Sequence, residues 1–367
     1  MMSLLAFIFV FGVLIFIHEF GHFIAAKKNG VRVEKFSFGF GPRLWGKKVK
    51  DTEYVVSAIP LGGYIKMAGD EPDQARENKP WEFLSKSCGQ RAQIIAAGPL
   101  LNYLLAFLLF SFIFMIGAPT STNKVGELIE NYPAQKAGVL KDDIILAVNG
   151  EKVAYWNDLT QAIRNSSSEK ILLDIQRQQE NLTIAIVPTV EEMADIFGQK
   201  TKVNLVGIYP SDETTEIRYG GARAFYEGGK KLVELSGVTY KALWYVAIRR
   251  ISFKESFSGP IGIFYFTGKA AELGFVYLLN LMALFSLSLA IFNFLPVPVL
   301  DGGHLFFLLF EKIRRRAVSA RVQTVATQMG IALLVTVMLF ASYYDVKRSG
   351  WWEKLQGRGS QEEKAND

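Results

Sequence analysis

Long apolar runs divide the chain into membrane-spanning and intervening segments. The runs lie at about Leu4–Ala26, Ile94–Ile116, Phe275–Leu295 and Val325–Tyr343. A helix needs about 20 apolar residues to cross a bilayer, and each run approaches or exceeds that length. The third run leads directly into Pro296-Val297-Pro298, which should end its helix because proline removes a backbone donor and clashes with the preceding turn. The pattern predicts a polytopic α-helical membrane protein with four transmembrane helices.

Between the first two runs, the hydrophobic period changes from that of a helix to that of a strand. Apolar and polar residues alternate with one slip from Val31 to Phe38, and Glu53–Ile59 is a second strand candidate. We predict a membrane-associated β-hairpin over residues 31–64 on the cytoplasmic side. Its glycines Gly39 and Gly41 lie at an edge that can pair with an extended peptide. The plainer interpretation is an ordinary cytoplasmic loop.

A separate α+β module follows the second run. Strand-like Val125–Ile129, a short helix opened by Pro133, and a strand ending in the turn Asn149-Gly150 succeed one another. Further alternating strands fall at residues 171–175 and 182–187. The pattern resembles one bacterial PDZ domain over roughly Asn123–Ile208. Such domains bind peptides by strand addition and hold a terminal carboxylate in a backbone nest.

The remaining segments complete the predicted organisation. Tyr219–Ile251 is amphipathic and rich in Tyr and Trp, so we predict a helix on the outer membrane face, with a further span as the alternative. The tail from Gly357 is polar and predicted to be disordered. The predicted membrane core thus falls in two parts, 1–117 and 274–345. Between them lie the module at 118–210 and a helical linker at 211–273, and a polar tail occupies 346–367.

Charge and cysteine content narrow the function classes. The formal charge is +6, but basic residues cluster beside apolar runs, at Lys27-Lys28 and Arg314-Arg315-Arg316. We interpret these clusters as topology determinants rather than as a nucleic-acid surface. The positive-inside rule then places both termini and the α+β module outside and the two basic loops in the cytoplasm. The single cysteine, Cys88, excludes an intramolecular disulfide and a Cys-rich zinc site.

A metal-ligand motif interrupts the first apolar run. His18 and His22 are four residues apart, so a helix presents them on one face. Two imidazoles so placed can bind one tetrahedral zinc ion while Glu19 acts as a general base. A charged side chain in the bilayer core costs at least about 2.5 kcal/mol and usually marks function. Hydrogen bonds to neighbouring helices would explain either histidine alone, but they leave Glu19 unexplained.

A third ligand must come from elsewhere, because a catalytic zinc site has three protein ligands and one open position. Asp301, in Leu300-Asp301-Gly302-Gly303-His304 just after the proline break, is the best candidate. Both sites are predicted at the cytoplasmic side. His304 is the rival ligand. An ordinary N-cap role for Asp301 on the following helix is the other alternative.

These motifs, taken in order, resemble the site-2 protease family of intramembrane zinc metalloproteases, and most closely its bacterial regulator-of-sigma-E protease branch. The resemblance implies Zn²⁺ held by His18, His22 and Asp301, with Glu19 as the catalytic residue. Asn293, in Asn-Phe-Leu-Pro-Val-Pro-Val-Leu-Asp-Gly-Gly-His, matches an asparagine that holds the substrate strand. The family's Gly-x-x-x-Asn pattern falls on Gly98 and Asn102. Substrate binding and interhelical hydrogen bonding are equal alternatives for Asn102.

The resemblance also implies a biological role. Substrates would be single-span membrane proteins already trimmed outside, such as anti-sigma factors or remnant signal peptides, and the PDZ module would bind peptide termini. The chain would lie in the bacterial inner membrane, in contact with lipid and with no nucleic-acid partner. Two features depart from the family pattern: a single PDZ module, and Ser288 where some relatives carry an additional asparagine.

Two rival functions stay open from the sequence. One is a PDZ membrane scaffold with a non-catalytic metal site, although a scaffold gives no reason for Glu19. The other is a metal transporter, for which acidic or histidine residues are expected in several spans. The second and fourth apolar runs contain neither, which favours the protease.

Overall fold

The computed structural model describes residues 2–70, 79–195, 197–251 and 258–348. The chain divides into two compact units. One consists of Met1–Ile113, Phe225–Leu243 and Ser252–Asp367, and the other of Phe114–Ala224 and Trp244–Ile251. The tail predicted to be disordered from Gly357 lies outside the described residues.

Four helices of the described chain are long and apolar enough to cross a membrane, in agreement with the four predicted spans. They are α1 (Met2–Lys28), α2 (Cys88–Ile116), α7 (Phe275–Asn293) and α9 (Ala320–Arg348). The third ends at Asn293, and the chain turns through the two prolines before α8 (Asp301–Arg314) begins. The proline pattern therefore separates the helix that carries Asn293 from the helix that carries Asp301.

The segment after α1 is a β-hairpin, and its two strands are longer than the strand candidates in the sequence. Strands β1 (Val33–Val49) and β2 (Thr52–Met67) pair antiparallel. Phe36 has partners on both sides, Ile65 and Tyr54, so the first part of β1 lies between two stretches of β2. Gly39 has a φ of +93°, and a Cβ there would lie 2.8 Å from the Ile59 carbonyl oxygen. The bend in β1 therefore requires glycine at this position.

In the described part of the helical linker, residues 211–251 and 258–273, there are two helices, α5 (Gly221–Ala247) and α6 (Pro260–Leu273). The middle of α5 lies along α2: a Cβ on Gly228 would lie 2.4 Å from Ser111 Oγ, and the hydroxyls of Tyr240 and Tyr103 are 3.2 Å apart. The sequence pattern did not mark α6, which contacts α1, α7 and α9. The sequence did not indicate a separate helix here because α6 is short, lacks an amphipathic period and directly precedes the longer apolar run of α7.

The second unit is an α+β module with its own core. Its helices are α3 (Pro133–Lys136) and α4 (Trp156–Asn165), and its main sheet has the strand order β6-β5-β7-β8. The two-stranded pairs are β3 with β12, β4 with β11, and β9 with β10. The strands are β3 (Ala118–Ser121), β4 (Val125–Leu128), β5 (Ile144–Val148), β6 (Glu151–Lys152), β7 (Ile171–Arg177), β8 (Glu180–Ile186), β9 (Thr189–Ala194), β10 (Lys200–Leu205), β11 (Ile208–Pro210) and β12 (Thr214–Ile217).

The core of the module follows the strand period. Ile171, Leu173 and Ile175 alternate along β7 and are fully buried, and Leu159 of α4 packs in the same cluster. The predicted strands at 171–175 and 182–187 correspond to β7 and β8, which form a tight hairpin. The pair β9–β10 was not anticipated, because its strands leave most of their residues exposed and so lack a buried alternating face.

Candidate metal centre

Three side chains from two helices converge on one point. His18 and His22 lie one turn apart on α1, and Asp301 is the first residue of α8. His18 Nε2 is 3.1 Å from Asp301 Oδ2, and His22 Nε2 is 3.6 Å from the same oxygen. The two Nε2 atoms are 3.3 Å apart. In the described part of the chain, these residues form the one group of His, Cys, Asp or Glu side chains so arranged.

The spacing of the three atoms fits one tetrahedral metal ion. Zinc binds imidazole nitrogen and carboxylate oxygen at about 2.0–2.2 Å, so adjacent ligand atoms of a tetrahedron are about 3.3–3.6 Å apart. The observed separations, 3.1, 3.3 and 3.6 Å, lie within a few tenths of an ångström of that range. Three ligands leave the fourth tetrahedral position open.

The backbone of α2 fixes the orientation of the His22 ring. His22 Nδ1 lies 2.9 Å from the Ile94 carbonyl oxygen. A carbonyl oxygen only accepts, so Nδ1 carries the proton and donates it. In the neutral ring, Nε2 then presents a lone pair towards His18 and Asp301. Such a partner for the second ring nitrogen is the usual arrangement around a metal-binding histidine.

Asn102 of α2 has the corresponding position beside His18. Its side chain is fully buried, with Nδ2 placed 3.4 Å from His18 Nδ1 and Oδ1 left without a hydrogen-bond partner. The two amide orientations have nearly the same shape. Exchanging Oδ1 and Nδ2 gives Oδ1 a donor, because Nδ1–H of His18 then points at it. With Nδ1 protonated, His18 also presents the lone pair of Nε2 to the cluster.

The oxygen at the centre of the cluster has no donor. Asp301 Oδ2 is buried without a hydrogen-bond partner, and the two imidazole nitrogens that face it offer lone pairs. Three converging lone pairs repel one another unless a cation lies between them. A buried polar atom without a partner is rare, and a bound ion is one of its recognised explanations. The donor set therefore fits a divalent metal.

Glycines bring the helices close enough for these contacts. A Cβ on Gly98 of α2 would lie 2.4 Å from His22 Nε2, and one on Gly21 of α1 would lie 2.3 Å from the Ala97 carbonyl oxygen. Real Cβ atoms do not approach so closely, so both positions need glycine. The sequence reasoning missed Gly98 as a determinant of ring placement, although it is the first residue of the Gly-x-x-x-Asn pattern.

A tight fold of the backbone directs Asp301 inward. A Cβ on Gly302 would lie 2.2 Å from the Leu295 carbonyl oxygen, and one on Gly303 would lie 2.3 Å from that of Val297. The two glycines thus let the proline turn fold over the first turn of α8, as expected from the pattern around Asp301. Leu300 is the N-cap of α8, and no side chain caps it. The N-cap role considered for Asp301 is therefore not the arrangement found.

Glu19 lies between α1 and the hairpin. The backbone N–H of Ile65 on β2 lies near its carboxylate, and a Cβ on Gly63 would lie 3.8 Å from Glu19 Cγ. The second strand of the hairpin thereby orients the carboxylate next to the cluster. Since Glu19 adjoins His18 but is absent from the converging group, its carboxylate is available for proton transfer.

The other candidate residues lie around this cluster. Asn293 is half-buried at the end of α7. Gly39 and Gly41 lie at the bend of β1 beside Ile59. His304, the rival ligand, is exposed one turn beyond Asp301 and is outside the converging group.

A buried ion pair links the two ligand-bearing regions at a second point. Arg91 of α2 donates to Glu311 of α8, and both side chains are largely buried. Arg91 is one turn before Ile94, the acceptor for His22. Cys88 Sγ lies 3.5 Å from Glu311 Oε1, which gives the single cysteine a packing role. The ion pair therefore connects α8 to α2, the helix whose Ile94 and Asn102 contact the two histidines.

Comparison with known proteins extends over almost the whole chain. The model of peptidase family M50 matches residues 6–337. A protein of Clostridium acetobutylicum named for zinc metalloprotease activity is 37% identical over 344 residues, which cover 92% of this chain and 96% of the relative. The regulator of sigma-E protease RseP of Escherichia coli is 31% identical over 449 residues, which cover 94% of this chain and 98% of the relative.

The alignment with the Escherichia coli relative is longer than this chain, 449 against 367 residues, so that relative has segments that are absent here. Among solved structures, the PDZ domain of an SdrC-like protein from Listeria monocytogenes superposes with a TM-score of 0.20 at 17% identity. It covers 24% of this chain and 86% of that one. A TM-score of that size carries no argument about the fold of the module.

Proposed function

The chain belongs to peptidase family M50, and on this premise we propose that it is an intramembrane zinc metalloprotease that cleaves transmembrane segments of single-span membrane proteins. The convergence of His18 Nε2, His22 Nε2 and Asp301 Oδ2 within 3.6 Å carries the proposal. It brings together one apolar helix and the helix after a proline break. Glu19 adjoins this cluster on α1, which is itself long enough to span a membrane.

The roles of the residues follow from their positions. His18, His22 and Asp301 would hold Zn²⁺, which would polarise a peptide carbonyl and lower the pKa of a water molecule to about 7. Glu19 accepts a proton from the attacking water as the water oxygen bonds to the carbonyl carbon. The C–N bond then breaks, and Glu19 returns the proton to the leaving amine nitrogen. The Ile65 N–H keeps the carboxylate in position throughout.

A transmembrane substrate must become extended before cleavage, because a helix engages its amides in its own hydrogen bonds. Asn293, Gly39 and Gly41 are the residues we propose for holding the unwound strand. At the bend of β1, Gly41 is exposed and Gly39 is buried against Ile59. Asn293 ends a helix, where the last carbonyl groups lack partners within the helix. We assign Asn102 to His18 rather than to substrate, since its amide is fully buried.

The α+β module supports a two-step scheme. We propose that it acts as a PDZ domain and binds the new terminus left by a first, extracytoplasmic cut. Anti-sigma factors and remnant signal peptides are the substrate classes, and the name of the Escherichia coli relative supports the first of these. The proposed location is the bacterial inner membrane, with the metal centre towards the cytoplasm and the module outside, because Lys27, Lys28 and Arg314–Arg316 flank the spans on one side.

The test replaces Glu19 by Gln in the full chain, co-expressed with a tagged single-span protein that lacks its outer domain. We expect cleavage to fall about 10²–10⁴-fold, the usual contribution of a general base, while the zinc content of the purified variant stays at that of the wild type. Glu34→Gln, which changes a half-exposed carboxylate on β1, is the control and should cleave normally. Persistent cleavage by the zinc-loaded Glu19→Gln variant would refute the mechanism. Absence of cleavage by the wild type, with zinc bound, would favour the scaffold with a non-catalytic metal.

A further inference from the structure

A cavity lies where α8 ends and α9 begins. Its volume is about 640 Å³. The side chains that define it include three phenylalanines and the last arginine of α8, one arginine of the connecting turn and a valine from the first turn of α9: Phe306, Phe307, Phe310, Arg314, Arg316 and Val322. We call this cavity the arginine pocket. None of its residues belongs to the metal centre.

The polar side of the arginine pocket is cationic and unneutralised. Arg314 and Arg316 both line it, and no aspartate or glutamate does. Within the described chain, neither arginine has a carboxylate partner, since Glu311, the nearest acid in sequence, pairs with Arg91. Two guanidinium groups that flank one cavity suit a phosphate group, which they can bind through paired N–H donors.

The other side of the pocket is apolar and uncovered. Phe306 and Phe310 are 44% and 41% exposed, and Val322 is 53% exposed. The rings of Phe306 and Phe310 pack edge to face with centroids 4.8 Å apart, which gives a continuous apolar wall. Exposure of this apolar surface to water is unfavourable in free energy, and an acyl chain that covers it removes that cost.

The position of the arginine pocket at the start of α9 indicates which kind of ligand with an anionic group and an apolar tail it binds. The arginines directly precede Ala320, where the apolar helix α9 begins. The end of a membrane span is the depth of lipid headgroups, and basic pockets between such helices bind anionic lipids. We propose that the arginine pocket is a binding site for an anionic phospholipid, with the phosphate at Arg314 and Arg316 and an acyl chain along Phe306, Phe310 and Val322.

The site acts on the helix that carries Asp301. Arg314 is the last residue of α8 and Asp301 the first, so one 14-residue helix joins the pocket to the cluster. A bound lipid therefore anchors the end of α8 that lies opposite Asp301. The lipid-binding proposal itself does not rest on the proposed protease function, and its test measures lipid rather than cleavage.

The experiment measures lipid binding to the purified full chain in detergent by native mass spectrometry. Phosphatidylglycerol is titrated against phosphatidylcholine of the same acyl chains, and inorganic phosphate is added separately. The lining variant is Arg314→Gln/Arg316→Gln. The matched control is Arg315→Asn/Arg321→Gln, which removes the same charge from neighbouring positions outside the pocket. Asn suits position 315 because the backbone there is left-handed, with a φ of +54°.

We expect the wild type to retain phosphatidylglycerol in preference to phosphatidylcholine. The lining variant should bind phosphatidylglycerol about 30-fold more weakly, because each arginine near an anionic lipid contributes about a factor of five. The control should change by less than about twofold. Arg314→Lys/Arg316→Lys keeps the charge but loses the paired N–H donors, so it should lose less affinity than the lining variant, and the binding that remains shows that the chain is folded.

Three outcomes would overturn the proposal. Equal losses in the lining variant and the control would mean a diffuse surface charge rather than a site. Equal retention of phosphatidylglycerol and phosphatidylcholine by the wild type would show that the arginines do not select an anionic headgroup. Displacement of the lipid by millimolar inorganic phosphate would identify a soluble anion as the occupant.

Discussion

Two aspartates, one in each unit, have a buried carboxylate oxygen but differ in the hydrogen bonds that this oxygen receives. Asp143, in the module, is 1% exposed and receives Arg177 on both oxygens at 2.8 Å, and the Leu140 backbone N–H donates to Oδ2 at 2.8 Å. This bidentate pair raises the pKa of the Arg177 guanidinium. Asp301 instead directs Oδ2 at two imidazole nitrogens and has no donor there.

The difference separates a structural carboxylate from one that awaits a ligand. A buried acceptor without a donor costs about 1–3 kcal/mol, more if charged. A chain that retains such an atom gains something other than stability from it. The oxygens of Asp143 are satisfied by Arg177 and by the Leu140 N–H, whereas Asp301 Oδ2 has no such donor, and we propose that a bound cation is its partner. Asp143 and the Oδ2 atom of Asp301 are both buried, so burial of the oxygen alone does not distinguish the two sites.

The largest effect is expected from Asp301→Asn, which keeps the shape of the side chain and removes its charge. Zinc affinity should fall by more than about 100-fold. This loss exceeds the one expected when a residue that only hydrogen-bonds to a ligand is changed, because Asp301 is itself a proposed ligand. Zinc content after dialysis against a graded chelator series is the measurement. His304→Asn, one turn further along α8 and outside the cluster, is the control. Wild-type zinc affinity in Asp301→Asn would mean that another residue supplies the third ligand.

The next effect tests whether close helix approach sets the ring positions. Gly98→Ala puts a Cβ at 2.4 Å from His22 Nε2, so either the ring or α2 must shift. Zinc affinity should fall by about 100-fold, the upper end for residues that orient ligands. Gly89→Ala is a matched control on the same helix, since a Cβ there meets nothing within 4 Å. If the two variants bind zinc equally, the packing of α2 does not position His22.

Much of this arrangement was predictable from local pattern. His18, Glu19 and His22 fall on one helix by spacing alone. The apolar runs fixed the four long helices, because length and hydropathy are properties of contiguous residues. Asp301 followed from the proline break and the two glycines after it, whose need for close backbone approach is visible in the residue types.

The contacts across helices were not predictable in that way. Ile94 contributes a backbone carbonyl to His22, and any residue type has one. The position of Asn102 beside His18 depends on the rotation of α2, which packing determines. The double pairing of Phe36 in β1 likewise depends on how β2 bends back. Each of these contacts is tertiary, and sequence period describes only the face of an element.

A smaller effect is expected at Asn102. Asn102→Leu removes the acceptor for His18 Nδ1–H, so the tautomer that exposes the Nε2 lone pair loses its support. Zinc affinity should fall about tenfold. Asn102→Asp keeps an acceptor at that position and should restore most of the affinity, which a purely steric role would not allow. Equal affinities in the Leu and Asp variants would return Asn102 to a packing or substrate-binding role.

The smallest effect on zinc affinity is expected from a change at Asp143, the aspartate whose oxygens already have donors. Asp143→Asn leaves Arg177 without its charged partner and removes an acceptor from Leu140, so the module should unfold at a temperature lower by about 5 °C or more. Zinc affinity should stay within about twofold of the wild type, because the ligands lie on α1 and α8 of the other unit. Scanning calorimetry and the same chelator series measure the two properties on one sample. If Asp143→Asn loses zinc affinity as well as module stability, then Asp143 also supports the metal centre. Burial with full hydrogen bonding would then not identify a purely structural carboxylate.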